Sequence, residues 1–183
     1  MHLQGQDHQE FRDLIKELVL LFKPKTYCEI GVKRGYVYNT IAPLVERAVA
    51  VDIQPLRGLK KGEGRLHFCM SSQDFARKWA FEKDTTIDLL LIDADHRFEM
   101  LMDDFASLQV YVPDCTGIIL LHDTYPVCAE YLNDTYCADA WRAAKEIREH
   151  WYDLFEIVTL PGPRAGLSIV RKAKKHGWMD EQD

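Results

Sequence analysis

Apolar positions along the chain switch between two periods. From Gln9 to Phe22, the residues Phe11, Leu14, Ile15, Leu18, Leu21 and Phe22 recur at helical spacing. Pro24 ends that helix. Thr26–Ile30 is then a short buried strand, and the alternation continues to the end of the chain. Strands are predicted over Ala48–Val51, Arg65–Cys69, Ile87–Ile92 and Gly117–Leu121. Helices are predicted over Tyr36–Glu46, Ser72–Glu82, Phe98–Leu108 and Asp139–Tyr152, the second of them capped by Ser71 or Ser72. The last two strands, Phe155–Leu160 and Gly166–Arg171, are joined through Pro161-Gly162-Pro163 with no helix between them. Continuous apolar strands separated by helices indicate a mostly parallel sheet covered on both faces. The expectation is a doubly wound α/β domain with a seven-stranded sheet and a C-terminal antiparallel hairpin on one edge.

Composition narrows the class without naming a function. The 183 residues, 47% hydrophobic and 28% charged, suit one soluble domain. We expect a single domain over 1–183, with an N-terminal helix within 1–24, a core over 26–172, and Lys172–Lys175 as a solvated tail. A net charge of −6 argues against a nucleic-acid partner; Lys23, Lys25, Lys33 and Arg34 could form a local basic patch, but such clusters are usually solvated faces. The polar N-terminus lacks the apolar stretch of a secretory signal, and no apolar run is long enough to span a membrane. Five cysteines, an odd number, read as buried free thiols in a reducing compartment, so a cytoplasmic location is expected. Cys128 and Cys137 with His122 could be zinc ligands, but no CxxC pair supports that.

Polar residues cluster where the strands end: Glu29-Ile30-Gly31, Asp52, Asp93-Ala94-Asp95-His96 and His122-Asp123. Open α/β sheets bind ligands outside the carboxyl ends of their strands, at the point where the strand order reverses. Gly31 permits a tight turn after the first strand, and Gly35 lets the next helix start close to it. Asp52 ends the second strand, where an acid accepts hydrogen bonds from ribose hydroxyls. Lys33 stands where a dinucleotide-binding loop would carry its second glycine. That spacing disfavours a pyrophosphate ligand, and with it an NAD-dependent oxidoreductase.

Glu-Ile-Gly-x-x-x-Gly followed by Ala48-Val49-Ala50-Val51-Asp52 resembles the first two motifs of class I methyltransferases dependent on S-adenosylmethionine (SAM). Ile92-Asp93-Ala94-Asp95-His96 with Gly117–Asp123 is similar to the small-molecule O-methyltransferases of the cephalosporin-hydroxylase-like and macrolide-sugar group. The resemblance spans Thr26 to Lys172 and implies a Rossmann-like methyltransferase fold. It further implies that Glu29 and the Gly31–Gly35 loop, with Val32, Lys33 and Tyr36, face the methionine part of SAM. Asp52 and its neighbour Ile53 would hold the ribose, Ser71 and Ser72 would lie near adenine, and Asp93 would sit close to the methyl group. One departure is Asp114-Cys115-Thr116-Gly117, in place of the Gly-Gly turn frequent in the family.

Asp93 and Asp123 end neighbouring strands, so their carboxylates should converge and repel unless a cation or a proton lies between them. Mg²⁺ would answer that repulsion. The resembling sugar and catechol methyltransferases bind such a metal there, with an acid at the position of His122. Histidine suits Mn²⁺, Fe²⁺ or Zn²⁺ better, so Asp93, His122 and Asp123 are metal-ligand candidates with the ion left open. His122 could equally be a hydrogen-bond partner of Asp93. His96 is the candidate general base, or alternatively a helix cap or supporting group. Tyr125, Tyr131, Asn133 and Tyr136 form a substrate lid or a packed loop, while Trp141 and Trp151 are expected in the core. The expected partners are a small hydroxylated acceptor, a sugar among the candidates, and a second copy in a homodimer. The alternatives are a metal-independent methyltransferase on another acceptor, or a non-catalytic SAM- or nucleotide-binding module.

Overall fold

The computed structural model describes residues 7–134, 136–162 and 165–173. Its helices are α1 (Asp7–Phe22), α2 (Tyr36–Ile41), α3 (Ser72–Trp79), α4 (Phe98–Leu108) and α5 (Trp141–His150). Its strands are β1 (Thr26–Ile30), β2 (Arg47–Asp52), β3 (Arg65–Cys69), β4 (Leu89–Ile92), β5 (Ile118–His122), β6 (Phe155–Leu160) and β7 (Leu167–Lys172). Among the described residues, the seven strands form one sheet in the order β3-β2-β1-β4-β5-β7-β6. The first five are parallel, and β7 runs antiparallel to both β5 and β6. The expected doubly wound sheet with its terminal hairpin is therefore observed.

Strand alternation divides the core into two layers. Cys28, Ile30, Val49, Val51, Leu90, Ile92, Ile119 and Leu121 face α3, α4 and α5, where Phe75, Trp79, Phe105 and Ile147 meet them. Tyr27, Ala48, Ala50, Leu89, Leu91 and Leu120 face α1 and α2, where Ile15, Val19, Tyr38 and Ile41 pack. The strand order reverses between β1 and β4. The Gly31 loop and Asp93 leave the sheet there, side by side.

The observed elements differ from the expected ones at a few points. The helix expected to run to Glu46 ends at Ile41 and tightens to a 3₁₀ turn over Ala42–Leu44, because Pro43 cannot donate to a continuing α-helix. Lys172 is no solvated tail residue. It ends β7, and its Nζ donates to the Val112 carbonyl at 2.8 Å. Lys174, Lys175 and Pro163 lie outside the described residues. The thiols are all free, but only Cys28 and Cys137 are buried, while Cys69 and Cys128 are exposed. Trp151 packs on Phe105 and Phe155 as expected of a core residue, whereas Trp141 is half exposed. No described helix is long and apolar enough to cross a membrane.

Cys115, in the turn that replaces Gly-Gly, has φ of 63°. A side chain in that left-handed region costs about 1–2 kcal/mol, partly offset by the extra freedom a glycine would have when unfolded. Cys115→Gly should therefore stabilise the protein by about 0.5–1 kcal/mol, a rise in Tm of about 1–4 °C. Thermal unfolding checks this, and a lowered Tm would show that the thiol's packing outweighs the strain.

Candidate active site

The site begins with two glycines. Gly31 has φ of +86°, and a Cβ placed there would stand 2.3 Å from the Asp93 carbonyl oxygen. The bare Cα lets the β1 loop pass directly against the end of β4. Gly35, at φ +71°, accommodates the Leu59 side chain instead. Asn39 then ties the following loop down, donating to the Gly58 carbonyl at 3.0 Å and accepting from the Lys60 amide at 2.8 Å. Leu59 and Asn39 carry no motif in the sequence, and only the folded contact reveals their part in shaping the loop.

Asp52, expected to receive ribose hydroxyls, is here an organiser of the loops. Its carboxylate accepts from the backbone amides of Lys33 (2.7 Å) and Gln54 (2.8 Å), tying the β1 and β2 loops together. Ile53 beside it is 70% exposed. Glu29 is buried and receives the Tyr27 hydroxyl at 2.6 Å. Burial drives its pKa well above the usual carboxylate range. The Tyr27 hydrogen bond opposes that shift, and the charges of Asp93 and Asp52 add to it. Val32 is buried under the loop, while Lys33 and Tyr36 are exposed. Ser71 caps α3 by accepting from the Asp74 amide at 3.1 Å. The Ser72 hydroxyl turns inward and donates to the buried Asp104 of α4, joining two helices.

At the ends of β4 and β5, four side chains converge. His122 Nδ1 lies 2.8 Å from Asp93 Oδ1 and 3.4 Å from Asp123 Oδ1. His96 Nε2 lies 3.0 Å from Asp123 Oδ2 and 3.8 Å from Asp93 Oδ1. The other ring nitrogen of His96 is bonded to the main-chain carbonyl of Tyr136, so the loop after β5 reaches into the site. His96 is no helix cap: α4 starts two residues later, and the Asp139 carboxylate accepts from its first amide, that of Phe98, at 2.7 Å. Asp95 is turned away onto Arg97. Asp123 holds φ of 59°, a strained backbone that aims its buried carboxylate back at the cluster.

The electrostatics follow from this packing. Burial would strip both imidazoles of their protons, but the two carboxylates prevail, pushing His96 up to about 10 and His122 up to about 9. Burial also works to raise the Asp93 carboxyl, yet His122 and His96 hold it well below its ordinary value. The resting cluster is thus two carboxylates matched by two imidazolium rings. A histidine whose folded pKa is raised contributes stability that is fully present below about pH 6.5 and is lost as pH climbs toward 9–10. The protein's stability should fall across that window by up to about 1.4 kcal/mol per pH unit per histidine, and its Tm with it. A Tm flat from pH 7 to 10 would contradict the pairing.

Among the described residues, Asp93, His122 and Asp123 offer ligand atoms that all lie within 4.8 Å of one another. Two carboxylate oxygens and one imidazole nitrogen fit a borderline divalent ion such as Mn²⁺, Fe²⁺ or Zn²⁺. Cys128 and Cys137 are not part of that group. The carboxylates of Asp52 and Asp93, at the ends of β2 and β4, suit a cationic ligand with hydroxyl groups and oppose a pyrophosphate.

Comparison with known proteins places the chain in a family and shows likenesses of fold. The sequence profile of a methyltransferase-domain family matches residues 28–124, more than half of the chain. No curated protein sequence matches. Among solved structures, an O-methyltransferase from Bacillus cereus in complex with S-adenosylhomocysteine (SAH) is 16% identical, covering 90% of this chain and 81% of that one, with a TM-score of 0.66. The O-methyltransferase TomG from Streptomyces achromogenes, involved in tomaymycin synthesis and solved with SAM, is 14% identical, covering 93% and 87%, with a TM-score of 0.64. An SAH-bound methyltransferase from Podospora anserina is 17% identical, covering 89% and 78%, with a TM-score of 0.64. At such identities the likeness concerns the fold, whereas the family match rests on the sequence itself: the chain belongs to the methyltransferase-domain family.

Proposed function

We propose that this methyltransferase uses SAM to methylate a hydroxyl group on a small molecule, a sugar among the candidates, with a divalent ion held by Asp93, His122 and Asp123. The observation that carries the reading is the convergence of those three ligand atoms within 4.8 Å, beside the glycine loop at the reversal of strand order. The carboxylates at the strand ends support the cofactor assignment: Asp93 suits the sulfonium charge, and Asp52 keeps acceptor capacity for the ribose.

Methyl transfer is an in-line displacement. The acceptor oxygen bonds to the methyl carbon as the carbon–sulfur bond breaks, SAH leaves, and the hydroxyl proton must go to a base. A bound divalent ion would lower the pKa of an acceptor hydroxyl and orient it. His96 is the candidate base. Its bond to the Tyr136 carbonyl consumes Nδ1–H, so Nε2 is the nitrogen directed into the cluster. His96 carries its proton at rest and accepts another group's proton only after giving that one up. Uptake of an ion by His122 likewise displaces a proton, so metal affinity should strengthen as pH rises.

A metal-free reaction is the second reading. It is favoured by the cluster's internal balance, in which each carboxylate already faces a charged imidazole. The two are separated by incubating the protein with SAM, a panel of hydroxylated acceptors, and Mn²⁺ or EDTA, with mass spectrometry of the products. Methylated product that disappears with EDTA supports the metal, and product indifferent to EDTA overturns it. Asp52→Ala should weaken SAH binding by about tenfold, on the scale of one or two lost hydrogen bonds. Unchanged calorimetric affinity would remove Asp52 from the cofactor site.

A further inference from the structure

α1 runs against the direction of the parallel strands. It ends at Phe22, and Lys23-Pro24-Lys25 leads directly into the start of β1. Its first turns therefore stand over the carboxyl edge of the sheet, where Asp93, His122 and Asp123 lie. Phe11 comes down at that point. It is 4% exposed, and its ring centroid lies 4.1 Å from that of His122, with the planes tilted by 37°. Ile15 and Val19, one and two turns further along, are buried in the layer between the helix and the sheet.

Among the described residues, the polar contacts of the His122 ring are made at one edge, by Nδ1 facing Asp93 and Asp123. The torsion that turns an imidazole about its Cβ–Cγ bond is broad, so a hydrogen bond on one edge leaves the plane of the ring poorly fixed. An aromatic ring at contact distance removes that freedom.

We propose that Phe11 is a positioning residue for His122, holding the imidazole plane so that Nδ1 stays directed at the two carboxylates. A residue outside the segment matched by the family profile, residues 28–124, thereby completes the site. The consequence for metal uptake rests on the reading of Asp93, His122 and Asp123 as ion ligands, whereas the ring contact stands without it.

The test compares Phe11→Ala, Phe11→Leu and Ile15→Ala with the unaltered protein. Ile15 is fully buried on the same helix, one turn further from the site, and serves as a control for loss of packing. Three quantities are read: Mn²⁺ affinity, SAH affinity, and the ¹H–¹⁵N ring signals of His122 in metal-free protein. In Phe11→Ala, Mn²⁺ affinity should fall about tenfold or more, as when a group supporting a metal ligand is removed. The His122 ring signals should shift and broaden, and SAH affinity should stay within about twofold. Phe11→Leu, which keeps the bulk but not the flat face, should fall between, and it carries the comparison if Phe11→Ala does not fold. Ile15→Ala should lower Tm and leave all three readings unchanged. Phe11 variants that match Ile15→Ala in every reading would overturn the proposal. If the unaltered protein takes up no Mn²⁺ while the ring signals of the Phe11 variants change, the metal reading fails and the role of Phe11 stands.

Discussion

Asp93→Ala is expected to lower turnover by about a thousandfold or more, equivalent to about 4 kcal/mol of transition-state stabilisation. Asp93 ends β4 at the strand-order reversal, and its carboxylate faces both His122 and His96. Removing it takes one oxygen from the three-ligand group and leaves His122 with only the longer approach of Asp123 at 3.4 Å. The fold should survive, because β4 itself is held by its parallel pairing with β1 and β5. SAH affinity should weaken far less than turnover, since the Gly31 loop and Asp52 are untouched. Asp93→Asn, which keeps the shape but not the charge, should be impaired almost as severely. Steady-state kinetics on an acceptor found in the panel decides the matter. Turnover within tenfold of the unaltered protein would place the chemistry elsewhere.

Gly31→Ala is expected to fail for a different reason. The added methyl group would meet the Asp93 carbonyl oxygen at 2.3 Å and the Ala94 Cα at 2.5 Å, both backbone atoms that cannot swing aside. The position also holds φ of +86°, which a side chain disfavours. Overpacking and backbone strain together should cost about 3 kcal/mol, or about 6–12 °C in Tm for a chain of this length. SAH binding should be lost with it, because the β1 loop and the β4 end must part to make room. A variant with unchanged Tm and intact binding would show that the contact is not structural.

The fold was largely legible in the pattern because each layer rule has a sequence period. Leu89–Ile92 and Ile118–Leu121 are apolar at every position, as strands buried on both faces must be. Phe155–Leu160 and Gly166–Arg171 lack the helix that a parallel crossover requires, which forces the hairpin. The site was legible where a strand end carries a polar residue: Glu29, Asp52, Asp93 and His122-Asp123 all fall on one edge. What escaped the sequence are contacts made by tertiary approach. Ser72 and Asp104 meet across α3 and α4, His96 is fixed by a main-chain carbonyl of the Tyr136 loop, and Phe11 covers His122 from a helix more than one hundred residues away along the chain. No local period encodes these. Pro43 is a boundary signal that is local, and it marks the end of α2.

The charge balance of the cluster links stability to chemistry. Protonated His96 and His122 neutralise Asp93 and Asp123 at rest, which lets buried carboxylates coexist at the end of two adjacent strands. The same protons must leave when an ion is taken up or when His96 accepts the acceptor's proton. Metal affinity and turnover are therefore expected to rise through the pH range in which the stability of the metal-free protein declines.

Calorimetric titration of the purified protein with SAH decides whether the glycine loop and the acidic strand ends form a SAM site. Saturable one-to-one binding is expected, with a Kd in the micromolar range, of order −8 kcal/mol, weakened in Asp52→Ala. No detectable heat or saturation up to millimolar SAH, with or without Mn²⁺, would rule the site out.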